Sequence, residues 1–288
     1  MVELESVIKK ARNLPALPQI TSKLLKVFND SSSQARDVSR IIESDQSLAT
    51  QILKQVNSPF YGFAGRVANL QHAVVIMGFN AIRNLAIGFS MAKMSRKAAS
   101  PVLSTEQFWV HSLGVGVGAR SIGKHIGYDC PEELLAAGLV HDIGKLILAD
   151  VLPDEYSRVL KEADEKGEEV YRSEKRLLGW SHSDVGEWYA NSNRFPPLLR
   201  ACIKYHHQVT GRCASEFNGV AQAVSLADQL CRREGIGWSG CSISSDELLD
   251  TCRVIGLSDE ARERVVQGLK DEVDAAKDFF GIVIPAQV

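Results

Sequence analysis

The chain has no run of about 18 apolar residues free of a charged or polar break, so no membrane span is expected. Met1 to Arg12 carries acidic residues and lacks the apolar core of a secretory leader. Neither sign of charge dominates. Thirty-three Lys and Arg stand against 35 Asp and Glu, a net charge of −2, and no nucleic-acid partner is expected from such a balance. The six cysteines (Cys130, Cys202, Cys213, Cys231, Cys241 and Cys252) form no Cys-x-x-Cys pair and no dense framework. Reduced thiols in a cytoplasm are therefore expected, and cysteine-ligated zinc is not. Alternating strand patterns, internal repeats and low-complexity linkers are also missing. What remains is an ordinary globular composition, 45% hydrophobic and 24% charged, able to bury the core of one large domain or two small ones.

The periodicity that is present is helical almost throughout, and the fold class it predicts is all-α. Leu24, Leu25 and Phe28 mark one helix face, Val38, Ile41 and Ile42 a second, and Leu48, Ile52, Leu53 and Val56 a third, capped by Ser44 or Asp45. Leu70 to Met77 and Phe79 to Met94 are apolar helical runs with Gly78 as a joint. Phe60 to Gly65 reads as a loop. Ser104 suits a cap for a helix from Thr105 towards His125, with Gln107 completing a capping box. Pro131 suits the first turn of the helix carrying Leu134 to Val140. Pro153 to Lys166 and Val170 to Leu178 are amphipathic, with Gly179 stopping the second and Ser181 capping the next. Pro196-Pro197 introduce a helix ending in His206-His207, and Asn218 to Arg233 form another. Gly114, Gly116 and Gly118 follow no strand and read as close helix packing rather than a dinucleotide loop. The charges of Glu162 to Glu169 read as a solvated face.

Against this background one pair is out of place. His141-Asp142 lies inside the apolar stretch Leu134 to Leu148. A buried carboxylate beside an imidazole is costly unless something compensates it, and a metal cation compensates both, because neutral imidazole and carboxylate are both transition-metal ligands. Further candidates follow in order: His111, then His182, then His206-His207, and a late Asp228 in an apolar helical run. Each has a plainer reading alone. His111 can pack beside Trp109, His182 can belong to the Ser181 cap, Asp228 can pair with an arginine, and His72 and His125 are read as hydrogen-bonded structural residues. Taken together, His141, Asp142, His111 and Asp228 suit one ion, and Asp142 can bridge to a second held by His182, His206 and His207. One or two divalent ions are expected, with iron or manganese favoured and nickel, cobalt or zinc also suited. Two such ions would clamp a phosphate and activate a water. Lys145, three residues beyond Asp142, could face that phosphate or remain a solvated lysine.

The series His, His-Asp, His, His-His, Asp resembles the HD superfamily of metal-dependent phosphohydrolases. A second signature lies in the first half: Leu14-Pro15-Ala16-Leu17-Pro18, Ile42 to Leu48, Val56-Asn57-Ser58-Pro59-Phe60-Tyr61-Gly62, Ala73 to Gly78 and Arg83-Asn84-Leu85. These phrases resemble the HDOD family, HD-related output modules of bacterial signalling proteins, over about Leu14 to Leu230. The resemblance implies a module over residues 10–235, with an N-terminal helical lobe over about 10–100 packed on an HD-like metal-binding lobe over 104–235, followed by a helical extension over 242–288. It implies a regulatory function and a signalling-protein partner. The alternative is a phosphohydrolase acting on a nucleotide or cyclic dinucleotide, with Lys145 and Asp142 as its catalytic residues. Many HDOD members lack part of the HD ligand set, and here the set looks complete. The HD-GYP relatives that cleave cyclic dinucleotides carry Gly-Tyr-Pro after the paired histidines. Gln208-Val209-Thr210-Gly211-Arg212-Cys213 stands there instead, which puts that cleavage in doubt.

Overall fold

The computed structural model describes residues 4–11, 19–28, 33–57, 67–95, 103–208, 217–238 and 245–280. The described residues contain helices and no strand. In chain order the first half holds α1 (Leu4–Ala11), α2 (Gln19–Phe28), α3 (Ala35–Glu43), α4 (Gln46–Val56), α5 (Leu70–Met77) and α6 (Phe79–Ser95). The second half holds α7 (Thr105–His125), α8 (Glu132–Val140), α9 (Ile143–Val151), α10 (Pro153–Lys166), α11 (Val170–Leu178), α12 (His182–Ser192), α13 (Pro197–Tyr205), α14 (Asn218–Arg233), α15 (Ser245–Ile255) and α16 (Asp259–Phe280). The motif Leu14 to Pro18, the loop Phe60 to Gly65 and the stretch Val209 to Cys213 lie outside the described residues.

Local signals in the sequence account for most boundaries. The Asp45 carboxylate accepts from Leu48 N at 3.0 Å at the start of α4. Between α5 and α6 the backbone turns at Gly78, whose φ of 86° is disfavoured for a side-chain-bearing residue. Ser104 accepts from Gln107 N at 3.3 Å at the start of α7. Gly179, at φ 86°, ends α11. α1 was not expected from the sequence. The apolar stretch Leu134 to Leu148 is two helices, with the chain leaving helical geometry at Asp142 (φ −98°, ψ 12°). No single helix among the described residues is long and apolar enough to cross a membrane; α5 and α6 pass that test only when joined across a 118° bend.

α12 begins with a capping box in which Ser181 N and Oγ both donate to Asp184 Oδ2, at 2.8 and 2.9 Å. Burial disfavours charge on Asp184, yet Lys204, Ser181 and Lys175 outweigh it and hold the carboxyl well below the usual carboxylate range. A depressed value contributes stability that is present above the unfolded value, about 3.9, and is lost as pH falls below it. Asp184→Asn is therefore expected to cost on the order of 1 kcal/mol at pH 7, allowing for solvent around the lysines, and clearly less near pH 2, where the contribution is part-way to being lost. Urea midpoints at the two pH values check this.

The tertiary core is organised around α7. Its buried residues run around the whole helix, as expected of an element enclosed by neighbours. α8, α14 and α16 pack on it. Its glycines make that possible. A Cβ on Gly116 would lie 2.5 Å from the Leu135 carbonyl, and one on Gly138 of α8 would lie 2.7 Å from the Val115 carbonyl carbon and closer still to Gly116. On another face, Cβ atoms at Gly114 and Gly118 would meet Ile236, Cys231 and Ala227. Close helix packing, expected for this glycine run, is what it does. α16 also belongs to this core, with Val265, Leu269 and Val273 buried. In the first half α6 is the inner helix, packed on α2, α4 and α5, and it also packs on α8. α8 is thus the seam between the halves, and the His-Asp pair sits at its end.

Candidate metal centre

Five elements deliver side chains to one buried point. α7 supplies His111, the α8–α9 turn His141 and Asp142, the first residue of α12 His182, the end of α13 His206 and His207, and α14 Asp228. His111, His141, His182 and His206 are 0% exposed, Asp142 1%, Asp228 2% and Lys145 3%. His207 is partly exposed. The close approach of α9 and α12 has a specific cause. A Cβ on Gly144 would stand 2.8 Å from the His182 carbonyl carbon and nearer still to its oxygen. No other residue type at position 144 lets the His182 backbone come this near to the start of α9.

Ligand atoms of Asp142, His182, His206 and His207 lie within 4.8 Å of one another, as do those of His111, His141 and Asp142. The two groups share Asp142, the residue expected to bridge. Asp228 stands one contact further out: its Oδ1 meets His111 Nε2 at 3.0 Å and its Oδ2 accepts from Arg232 at 2.6 Å. Lys145 Nζ lies 2.6 Å from Asp142 Oδ2, inside the site rather than in solvent. His72 and His125, read as structural, are both exposed. His125 bonds the Ser121 carbonyl at 2.8 Å.

Hydrogen bonding decides what this cluster can accept. His141 Nδ1 donates to the Gly138 carbonyl at 2.7 Å, and His206 Nδ1 to the Cys202 carbonyl at 2.9 Å. A carbonyl only accepts, so in the neutral rings each Nε2 is a lone pair. His141 Nε2 then faces Asp142 Oδ2 at 3.3 Å, and the buried atom finds no donor. His206 Nε2 faces Asp142 Oδ1 at 3.4 Å and His182 Nε2 at 3.3 Å. His207 Nε2 is 3.1 Å from the same His182 atom. His182 Nε2 can donate to only one of Asp142, His206 and His207. The centre therefore has more acceptors than donors, which is the chemistry a cation fits.

Charges follow the same logic. Burial pushes the His111, His206 and His207 rings down, towards the neutral form that binds metal. Burial also works against charge on His182, but Glu174 and Asp142 outweigh it and push the ring up to about 9. For Asp142 the burial penalty is outweighed by His141, Lys145 and His182, and for Asp228 by Arg232 and His111. Both carboxyls are held well below the usual range.

Three residues of the site escaped the sequence reading. Glu174, fully buried on α11, accepts from His182 Nδ1 at 2.6 Å, from His182 N at 2.9 Å and from the Tyr156 hydroxyl at 2.9 Å. Glu169, expected on a solvated face, is buried and ion-paired with Arg232. Arg232 in turn holds Asp228, linking α11 to α14. The rest of the 162–169 stretch behaves more as expected, with Glu162 and Glu168 pairing with Arg176 at the surface. Tyr171 stacks on His207 with ring centroids 4.4 Å apart.

A family model for the HDOD domain matches residues 14–209. A solved structure from Geobacter sulfurreducens, an HDOD domain protein of unknown function, is similar to this chain with 26% identity and a TM-score of 0.74, covering 96% of this chain and 99% of that one. A Shewanella amazonensis structure named as a candidate phosphohydrolase is similar at 24% identity and TM-score 0.67, over 96% of this chain and 95% of that one, and shows the shared fold. An uncharacterised protein of Treponema pallidum is 22% identical over 229 residues, 77% of this chain and 43% of that protein. The chain spans less than half the length of the curated relatives it matches.

Proposed function

This chain belongs to the HDOD domain family, and on that premise we propose that it is a bacterial signal-transduction module whose buried His/Asp centre holds one or two divalent transition-metal ions in a regulatory role. The observation that carries the metal is the surplus of buried acceptors: His141 and His206 turn Nε2 lone pairs to the Asp142 carboxylate, and His206 and His207 both crowd the single His182 Nε2, with too few protons to share. His111, His141 and Asp142 would hold one ion and Asp142, His182, His206 and His207 another. Iron or manganese suits this mixture of imidazole and carboxylate, as do nickel, cobalt and zinc. The regulatory assignment rests on burial. Catalysis needs an open ligand position and room for a substrate, whereas Asp142 and four of the five histidines are at most 1% exposed. The site also lies at the end of α8, which α6 of the first half packs against, so a change in ligation has a mechanical route to the N-terminal helices. The output would be a signalling-protein partner.

One observation favours a second reading, a metal-dependent phosphohydrolase acting on a nucleotide or other phosphoester. Asp142 is common to both ligand groups and Lys145 lies beside it, an arrangement suited to clamping a phosphate. Bound ions would supply Lewis acidity and an activated water. The chain's own part would be to hold the ligands in place, with Lys145 neutralising the charge of Asp142 or of an arriving phosphate.

Elemental analysis of protein purified without chelator or metal-affinity tag tests both. One to two equivalents of a transition metal are expected. No metal after reconstitution with iron or manganese would sink both readings, and turnover of a phosphoester by the loaded protein would favour the second.

A further inference from the structure

The four fully buried histidines of the centre differ in what holds the ring nitrogen that faces away from it. His141 and His206 donate Nδ1–H to backbone carbonyls, and His111 Nδ1 lies 3.3 Å from the Ile236 carbonyl. His182 alone has a carboxylate, Glu174, on its outward Nδ1; the carboxylate at His111, Asp228, meets Nε2 instead. The geometry is restrictive. One oxygen, Glu174 Oε2, takes both the backbone N–H of His182 at 2.9 Å and its Nδ1–H at 2.6 Å. The other, Oε1, takes the Tyr156 hydroxyl. Glu174 is fully buried and both of its oxygens are occupied by protein donors, so it is engaged outside the ligand ring rather than as a ligand. Holding the backbone and the ring of one residue on one oxygen leaves a single orientation for the imidazole. Nε2 then points to Asp142 Oδ1 at 3.1 Å, to His207 Nε2 at 3.1 Å and to His206 Nε2 at 3.3 Å.

We infer that Glu174 is the positioning residue of the centre: it keeps the His182 proton on Nδ1 and presents an electron-rich Nε2 to the ion shared with Asp142, His206 and His207. A carboxylate behind a ligating imidazole raises the basicity of the ligand nitrogen more than a neutral carbonyl does, and partners of this kind strongly affect metal affinity. This inference rests on the metal reading proposed above.

The test is Glu174→Gln, which keeps the volume and an acceptor oxygen while removing the charge. Co(II) affinity is measured by competition with a chromophoric chelator, the visible d–d spectrum of the loaded protein is recorded, and the thermal midpoint is taken without metal. The expected result is a folded protein with Co(II) affinity lowered about 10- to 100-fold and shifted d–d bands. A purely structural role for Glu174 would lower the metal-free midpoint and leave affinity and spectrum as in wild type, and that result overturns the inference. If Glu174→Gln does not fold, imidazole 15N–1H NMR of the wild-type protein decides. A His182 Nδ1–H resonance retained on metal loading supports the inference, and its loss on loading overturns it. Wild-type protein that binds no stoichiometric Co(II) sinks the metal reading itself, whereas wild-type binding with an unchanged Glu174→Gln affinity sinks only the role of Glu174.

Discussion

Gly138→Ala is expected to destabilise the protein by at least about 3 kcal/mol and to weaken metal binding along with the fold. The added methyl would stand 2.7 Å from the Val115 carbonyl carbon and closer to the Gly116 backbone. Its three nearest atoms are all backbone of α7, which no side-chain rotation can move aside. Relief requires α7 and α8 to separate by roughly 1 Å to reach ordinary carbon contact distances. That separation loosens a crossing between two helices buried along most of their length. The gain of about 1 kcal/mol in helix propensity from Gly to Ala does not offset it. The site suffers twice, because Gly138 is also the carbonyl that orients His141, and His141 must keep its place beside His111 on α7. Gly219→Ala on α14 is the matched control. Nothing lies within 4 Å of its Cβ position, and it is expected to be neutral or slightly stabilising. Chemical denaturation of the two variants side by side checks the pair; equal stabilities would mean that the α7–α8 crossing is not as close as described.

The second large effect is expected from His141→Ala combined with Asp142→Ala. Metal content should fall to background, since Asp142 belongs to both ligand groups and His141 to one. Stability should fall for two separable reasons. Without any metal, the double variant removes the carboxylate 2.6 Å from the buried Lys145 ammonium, and breaking a buried ion pair from one side costs about 3–5 kcal/mol. With metal at about 100 times its dissociation constant, the wild type gains a further ~2.7 kcal/mol that the variant cannot. Thermal or urea unfolding of both proteins, with and without chelator, resolves the two contributions. Stoichiometric metal retained by the double variant would remove the assignment of the site to these residues.

Much of this is legible in the sequence alone. Ionisable residues in apolar helical runs are conspicuous, because burial is read from the neighbours and the exception stands out; His141-Asp142 and Asp228 are found that way. Helix punctuation is local chemistry, so Gly78, Ser104, Gly179 and Ser181 mark real boundaries. The break within Leu134 to Leu148 was less visible. An apolar run looks the same whether it is one helix or two, and here the interruption falls at Asp142, where Gly144 packs on the backbone of His182.

Glu169, Glu174 and Arg232 were not legible, for a physical reason. Each sits in an amphipathic segment rich in charge, where a carboxylate or guanidinium reads as part of the wet face. Their burial depends on which groups other helices bring opposite them: Tyr156 from α10 and His182 from α12 for Glu174, and the mutual approach of α11 and α14 for Glu169 and Arg232. The sequence by itself determined the helical class, most helix ends, the ligand-type side chains and, through the resemblance it carries, the family. Only the tertiary structure decided which oxygen faces which nitrogen. Periodicity and capping act within one or two turns of chain, whereas a donor–acceptor balance at a buried point is set by residues as distant in sequence as His111 and Asp228, 117 positions apart.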